Sequence, residues 1–192
     1  MDDIDLITQI RCGNENAYRT LVENHKNLVW HMVLRMVSRQ EDAEDLCQDV
    51  FLQVFRNIGN FRGDSKLSSW IGSIVYHVCI DFLRKKGREK NRAGDNPGFD
   101  NGGLAYADMA GKKMDRAKLK TVVHKIIRNL PLRYRTVITL YHLEEFSYKE
   151  IAGITGMPEG TVKSYISRAR EMIRDQILKV VPDIQPVLFD SE

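Results

Sequence analysis

Apolar residues recur every three to four positions along most of the chain, with polar residues between them. This spacing is typical of amphipathic α-helices, which bury one side against a core. In the N-terminal half it predicts four helices, at Asn14–Asn24, Asn27–Val37, Glu41–Asn57 and about Leu67–Lys86. No segment shows the strict alternation expected of a half-buried β-strand, so the expected fold class is all-α.

The apolar stripes of the third and fourth predicted helices indicate which sides face the core. In the third helix the stripe consists of Ala43, Leu46, Cys47, Val50 and Val54. In the fourth it consists of Leu67, Ile71, Ile74, Val78 and Phe82. A break carrying Gly59 and Gly63 separates the two helices.

The composition changes sharply near Gly87, where a glycine-rich stretch without periodicity begins. We interpret residues 89–113 as a flexible linker. Helical periodicity resumes at Met114–Asn129, Arg133–Leu143, Ser147–Ile154 and Pro158–Val180. The sequence thus predicts two small helical domains, residues 1–88 and 114–181, followed by a loose tail at 182–192.

The bulk composition excludes some classes of protein. The first residues are acidic rather than basic, and no apolar run reaches the roughly 20 residues of a membrane span, so we expect a cytoplasmic protein. The cysteines Cys12, Cys47 and Cys79 have no C-x-x-C spacing. We interpret them as small apolar fillers in a reducing compartment. A zinc site that adds His25 or His31 would lack paired ligands, and no cofactor is expected.

The clearest local motif is SYKEIAGITGMPEGTVKSYISRAR, which begins at Ser147. Ser147 and Glu150 have the spacing of a capping box, Gly156 suits a tight turn, and Pro158 suits the first turn of a helix. Two short helices joined in this way form a helix-turn-helix. The N-terminal part of its second helix reads base edges in the major groove. Candidate DNA-binding residues there are Glu159, Thr161, Lys163, Ser164, Ser167, Arg168 and Arg170.

Two features of the N-terminal half also indicate binding. The third predicted helix carries a second face, away from its core stripe, that combines acidic and amide side chains with Leu52, as a protein-docking surface does. That face consists of Asp45, Gln48, Asp49, Leu52 and Gln53, next to Phe51 and Phe55.

The following segment mixes aromatic and basic residues, which suits single-stranded DNA, because bases stack on rings while cations hold the backbone. Its candidates are Phe61, Arg62, Lys66, Trp70, Tyr76, His77 and Arg84.

Together these segments resemble the extracytoplasmic-function (ECF) sigma factors of bacterial RNA polymerase. Asp42-Ala43-Glu44-Asp45, Gln48-Asp49-Val50-Phe51, Trp70-Ile71 and Asp81-Phe82-Leu83-Arg84 are similar to region 2 of that family. Leu130-Pro131, Tyr134-Arg135, Ser147-Tyr148, Glu150-Ile151-Ala152, Gly160-Thr161-Val162-Lys163-Ser164 and Arg168-Ala169-Arg170 are similar to its region 4. The resemblance covers nearly the whole chain except the linker and the tail.

The resemblance implies a non-enzymatic subunit that binds core polymerase and promoter DNA. The face around Asp49 would dock on the clamp helices of the β′ subunit, and region 4 would bind the −35 element as duplex and contact the β flap. The segment Phe61–Ser69 and the next helix would capture the −10 element as a single strand. An anti-sigma factor is a further expected partner. Many members have Asn at the position of His77, so the base preference at −10 is left open.

Two other readings compete with this one. A stand-alone helix-turn-helix regulator would bind duplex DNA without polymerase. A carboxylate-metal nuclease would need Asp42, Glu44, Asp45 and Asp49 to converge on one pocket, whereas the predicted helix spreads them around its axis. We also expect free protein to bind promoters poorly, because a flexible connection between two DNA-binding domains makes joint engagement entropically costly.

Overall fold

The computed structural model describes residues 3–37, 39–92 and 116–180. This part of the chain contains eight α-helices, one 3-10 turn and no strand, which confirms the all-α prediction. The helices are α1 (Asp3–Arg11), α2 (Glu15–Met36), α3 (Gln40–Asn57), α4 (Leu67–Arg92), α5 (Arg116–Asn129), α6 (Leu132–His142), α7 (Tyr148–Thr155) and α8 (Glu159–Val180), and the 3-10 turn is Ile58–Asn60. Within the described ranges, no helix is both long and apolar enough to cross a membrane.

Helix α2 runs unbroken from Glu15 to Met36, where the sequence predicted two helices. Asn14 caps it as expected, because its side chain accepts a hydrogen bond from Asn16 N at 3.0 Å. No glycine or proline lies between Asn24 and Asn27, so nothing in the backbone chemistry stops the helix there. The prediction of a break was therefore wrong.

Helix α4 fully buries only part of the predicted stripe. Its fully buried apolar residues are Leu67, Ile71, Val75 and Cys79. Ile74, Val78 and Phe82 are half-buried and lie at the edge of the core. The helix also continues through Gly87 to Arg92, beyond the predicted end near Lys86. One glycine costs a helix only about 1 kcal/mol, which the neighbouring turns can offset.

Helices α5 to α8 form the C-terminal helical unit. The buried side of α8 consists of Val162, Ile166, Ala169, Ile173 and Ile177, as its spacing predicted. It packs on α5, α6 and α7. The predicted tail lies outside the described residues, and so does most of the predicted linker, namely residues 93–113.

The two helical units pack directly against each other. Helix α2 contacts α6, and α4 contacts α7. Gly72 on α4 leaves room for Ile154 of α7, whose Cδ1 lies 3.2 Å from the position that a Cβ at Gly72 would occupy. Arg135 of α6 donates to Met36 O at the end of α2, at 3.1 Å. The free chain therefore contains an interface between its two units, which the sequence pattern did not reveal.

The three cysteines lie in different environments. Cys79 is buried and Cys47 is half-buried, so both fit the interpretation as apolar fillers. Burial raises the pKa of Cys79 to about 12 and that of Cys47 to about 11. Cys12 is exposed, so the filler interpretation was wrong for this residue.

Candidate nucleic-acid and protein interfaces

The helix-turn-helix begins with the predicted capping box. Ser147 Oγ accepts a hydrogen bond from Glu150 N at 3.3 Å, and the Glu150 carboxylate accepts from Ser147 N at 2.8 Å. The Ser147 hydroxyl also donates to that carboxylate at 2.7 Å, and these hydrogen bonds lower the pKa of Glu150 to about 2. Helix α7 ends at Gly156, which has a φ of 70° and donates its N–H to Ala152 O at 2.9 Å. The turn chemistry predicted from Ser147, Glu150 and Gly156 is thus present.

Helix α8 exposes the polar side that the motif predicted. Of the seven candidate DNA-binding residues, Thr161 is half-buried and the other six are exposed, namely Glu159, Lys163, Ser164, Ser167, Arg168 and Arg170. Lys163 Nζ lies 3.2 Å from Glu159 Oε1, one helical turn away. Tyr165 is half-buried and packs edge-on against Tyr134, so it points away from the exposed row.

Two tyrosines support the basic residues of α8, and neither was among the residues predicted from the sequence to bind DNA. Tyr141 of α6 and Tyr148 of α7 stack with their ring centroids 4.9 Å apart. Lys163 Nζ lies 5.5 Å from the Tyr148 ring, and the Arg170 guanidinium lies 5.5 Å from the Tyr141 ring. A cation over a ring is attracted by the negative face of that ring. The sequence carried no signal for this cluster, because the packing of three separate helices creates it.

All five residues of the predicted docking face are exposed on α3, namely Asp45, Gln48, Asp49, Leu52 and Gln53. Leu52 is 50 % exposed and lies among the four polar residues of this face. Phe51 and Phe55 do not belong to this exposed face. They are half-buried, and Phe55 packs edge-on against Tyr18 at 5.1 Å.

A groove of about 710 Å³ runs between α3 and α4. Asp49 and Leu52 of the docking face line one side of it, and His77 and Lys85 line the other. The half-buried residues that the sequence placed in the core, Ile74, Val78 and Phe82, also line this groove. The candidate protein face and one candidate DNA residue therefore meet at the same groove.

The candidates for single-strand binding are divided between surface and core. Arg62, Lys66, His77 and Arg84 are exposed, while Trp70 and Tyr76 are half-buried. Phe61 is only 7 % exposed and packs edge-on against Trp70, with centroids 5.5 Å apart. In this arrangement the Phe61 ring shapes the base of the loop and is not available for stacking on a DNA base.

The imidazole of His77 has a defined orientation. Its Nδ1 lies 2.6 Å from Ser73 O one turn earlier, and a carbonyl oxygen can only accept a hydrogen bond. Nδ1 therefore carries the proton, and in the neutral ring Nε2 is left as an acceptor. The Tyr76 ring packs edge-on against this imidazole at 5.5 Å.

One carboxylate joins the candidate single-strand loop to the helix-turn-helix. Glu150 Oε1 lies 3.0 Å from Lys66 Nζ and accepts a hydrogen bond from Ser69 Oγ at 3.2 Å. A second contact between the units joins His31 Nδ1 of α2 to Oε1 of Glu144, which follows α6, at 3.6 Å. Burial raises the pKa of Glu144, and the nearby His31 and Arg35 oppose that rise.

Both units match known families. Residues 21–89 match Sigma-70 region 2, and residues 120–173 match Sigma-70 region 4. Over 182 residues the chain is 36 % identical to the ECF RNA polymerase sigma-E factor of Haemophilus influenzae, and the match covers 92 % of this chain and 96 % of the relative. The chain belongs to the ECF sigma factors. Its function is to bind RNA polymerase and direct transcription initiation, and the reading as a stand-alone regulator is not favoured.

Other relatives agree with this assignment. The ECF sigma factor SigW of Bacillus subtilis is 30 % identical over 177 residues, covering 89 % of this chain and 94 % of SigW. Among solved structures, the sigma factor RpoE from Bartonella quintana, in complex with the anti-sigma factor NepR, superposes with a TM-score of 0.66 at 26 % identity. That match covers 85 % of this chain and 97 % of RpoE.

Proposed function

We propose that this sigma factor docks on core polymerase through the exposed α3 face, captures the −10 element with the loop at residues 61–66 (the −10 loop) and with α4, and reads the −35 element with α8. The observation that carries the proposal is the exposure of all five α3 residues and of the polar side of α8 in one chain. Neither surface is needed to build the core of its own domain. Exposed polar surfaces of this kind are available for partners.

The α3 face suits the clamp helices of the β′ subunit. Asp45 and Asp49 have no ion-pair partner within the described residues, so their charges are available to basic groups. Leu52 supplies an apolar centre among them, as the middle of a protein interface does. The groove beside Leu52 would bring the docked polymerase helices close to His77 on α4.

The −10 strand would meet the exposed loop residues Arg62 and Lys66 and then the exposed side of α4. His77 is the residue best placed to read a base by hydrogen bonding. Its Nε2 is an acceptor in the neutral ring, so it would accept from an exocyclic amino group, whereas a protonated ring would only donate. We therefore propose that His77 reads an exocyclic amino group of a −10 base through Nε2.

The −35 duplex would lie against α8, with Lys163 and Arg168 near the phosphates or the guanine edges. Region 4 would at the same time sit on the β flap. Arg170 lies over Tyr141 and donates to His142 Nε2 at 3.2 Å, which fixes it beside α6. We assign Arg170 to the margin of the duplex contact and the other two residues to its centre.

Engagement of both promoter elements requires the interface between the units to open. The labels −35 and −10 themselves differ by about 25 base pairs, which is roughly 85 Å of B-DNA at 3.4 Å per base pair. In the free chain the −10 loop touches α7 through Lys66 and Glu150 at 3.0 Å. Free protein would thus bind promoters poorly because contacts must break, and not because of a flexible connection alone, as the sequence led us to expect.

RpoE of Bartonella quintana is found in complex with an anti-sigma factor, which supports a partner of that class for this chain. The family consists of regulators, so we propose that the chain has no enzymatic activity of its own. Because core polymerase works on the chromosome, we place the chain in the cytoplasm.

The test is run-off transcription by bacterial core polymerase on a promoter library read by sequencing, with and without this protein. We expect transcripts that begin downstream of a shared two-part motif only when the protein is present. Core binding is measured separately. Binding without transcripts would count against the proposed DNA residues, and absence of binding would count against the α3 face.

A labelled version of the chain tests the opening step. Cys12 is exposed, and Lys179→Cys adds a second exposed site at the end of α8. Energy transfer between dyes at these positions is expected to fall when core polymerase is added. Unchanged transfer in a holoenzyme active on the promoter would show that the units do not separate.

A further inference from the structure

Helix α1 contacts the two ends of the candidate −10 loop. At the first end, Arg11 Nη2 donates to Gly59 O and to Phe61 O, both at 2.9 Å. At the second end, Asp3 Oδ2 accepts from Leu67 N, the first residue of α4, at 3.4 Å. No sequence motif had drawn attention to α1, and it precedes the segment that matches Sigma-70 region 2, which begins at residue 21.

The position of α1 is fixed by its own packing. Leu6, Ile7 and Ile10 are at most 4 % exposed and belong to the common core. Because the helix is anchored, the backbone of Arg11 is fixed within reach of both acceptors, and the two hydrogen bonds hold its exposed guanidinium there. The carbonyl oxygens of Gly59 and Phe61 can both accept from Nη2 of Arg11 only if the backbone between them is bent so that both oxygens point toward α1. Arg11 therefore stabilises this bent conformation.

The loop is fixed at its ends and open in its middle. Residues 62–66 are all exposed, and Gly63 has a φ of 79°, which favours glycine at this bend. The edge contact between Phe61 and Trp70 closes the base of the loop. A loop held in one shape loses less conformational freedom when it binds a strand than a mobile loop would.

We propose that α1 is a positioning element for promoter melting, in which Arg11 and Asp3 hold the −10 loop in the shape that captures the single strand. This inference rests on the proposed role of the loop in −10 binding. In this assignment Arg11 and Asp3 act through the backbone of the loop and do not contact DNA. The loop residues Arg62 and Lys66 make the direct contacts.

The test uses full-length protein assembled with core polymerase and a promoter recovered from the transcription library. The probe is the non-template strand across the −10 element, and its affinity is measured at several salt concentrations. For Arg11→Ala we expect a loss of about tenfold, because charge-assisted hydrogen bonds to both carbonyls are removed. Arg11→Lys should recover part of the loss. Asp3→Ala should cost about twofold, since its hydrogen bond is long.

Salt dependence separates positioning from direct contact. A residue that neutralises a phosphate contributes about 0.7 to the slope of log affinity against log salt for a single strand. Arg62→Ala should reduce the slope by about that amount. Arg11→Ala should leave the slope unchanged. A reduced slope for Arg11→Ala would make Arg11 a DNA contact and overturn the proposal.

Matched controls separate this role from general damage to the fold. Arg19→Ala and Asp5→Ala remove exposed side chains of the same types and should leave strand affinity unchanged. Affinity for core polymerase and for −35 duplex should be unchanged in Arg11→Ala, and equal losses in all three would indicate a merely structural role and overturn the proposal. If Arg62→Ala and Lys66→Ala have no effect, the proposed −10 role of the loop fails; if they act and Arg11→Ala does not, the positioning role alone fails.

Discussion

Lys66 and Glu150 form an ion pair of 3.0 Å between a loop of region 2 and the first helix of the region 4 helix-turn-helix. Glu150 also completes the capping box with Ser147, so one carboxylate serves both the start of α7 and the contact between the units. Lys66 is a candidate DNA-binding residue, and its charge is compensated in the free chain. In the closed arrangement, the carboxylate of Glu150 and the phosphates of DNA would therefore compete for the ammonium group of Lys66.

Glu150→Gln is expected to increase the affinity of the free protein for single-stranded −10 DNA by about two- to fivefold. Glutamine also occurs at this position of capping boxes, so the start of α7 should be largely retained while the charge is lost. The measurement is fluorescence anisotropy with a labelled strand, without polymerase. Glu145→Gln, which changes an exposed glutamate of the same unit, is the control. An unchanged affinity in Glu150→Gln would mean that Lys66 is not sequestered.

The low pKa of Glu150 predicts a contribution of this residue to acid sensitivity. The pKa is about 2 in the folded chain against an ordinary value of 4.5, so the unfolded carboxyl takes up its proton first as the pH falls. The stabilisation is fully present above about pH 4.5 and is lost progressively toward pH 2. Urea unfolding of wild type and Glu150→Gln should thus show a difference in stability that shrinks between pH 5 and 3. A constant difference over that range would contradict the assignment.

The sequence predicted the buried residues of a helix well where only one face of that helix is apolar. The apolar row of α8, from Val162 to Ile177, was predicted correctly because a single face of that helix meets the core. On α4 the prediction failed for Ile74 and Val78, because this helix is apolar on more than one side and periodicity cannot rank the sides. At Gly72, α4 packs against Ile154 of region 4. Region 4 therefore covers a side of α4 that would be exposed if region 2 stood alone.

The candidate site was predictable to the extent that its residues lie on one helix. The docking face of α3 and the polar side of α8 follow from helical spacing, and the structure places both at the surface. The stack of Tyr141 and Tyr148 depends on packing between different helices. Hydrogen bonds from Arg11 to carbonyls 48 and 50 residues away likewise have no periodic signature.

Charge reversal on the docking face should weaken binding to core polymerase without unfolding the chain. Asp49 is exposed on α3 and lines the groove beside Leu52, so Asp49→Lys should lower the affinity about tenfold or more through repulsion of basic groups. Leu52→Ala should also weaken binding, because it removes apolar contact area. Glu15→Lys on α2 is the control. The thermal midpoint should stay near that of wild type, and unchanged polymerase affinity in both variants would exclude this face.

Two basic residues of α8 should differ in their contribution to −35 binding. Arg168 is exposed and has no ion-pair partner within the described residues, whereas Lys163 is 3.2 Å from Glu159. Arg168→Ala should therefore cost more affinity than Lys163→Ala, on the order of 1–3 kcal/mol if it reads a guanine. Titration of duplex −35 DNA at several salt concentrations measures both the loss and the slope. Lys179→Ala, at the far end of α8, should have little effect, and an equal loss in all three variants would indicate nonspecific electrostatics.

Thiol reactivity should follow burial and pKa. The thiolate is the reactive form, and burial raises the pKa of Cys47 to about 11 and of Cys79 to about 12, so almost none of either is ionised near pH 7.5. Cys12 is exposed, and a maleimide should therefore modify it first under native conditions. Mass spectrometry of peptides after brief labelling gives the order, with urea-unfolded protein as the control in which all three react. Early modification of Cys79 in native protein would show that α4 separates from its neighbours on the timescale of labelling. The conformation in which Cys79 is buried would then be only one of those that α4 adopts.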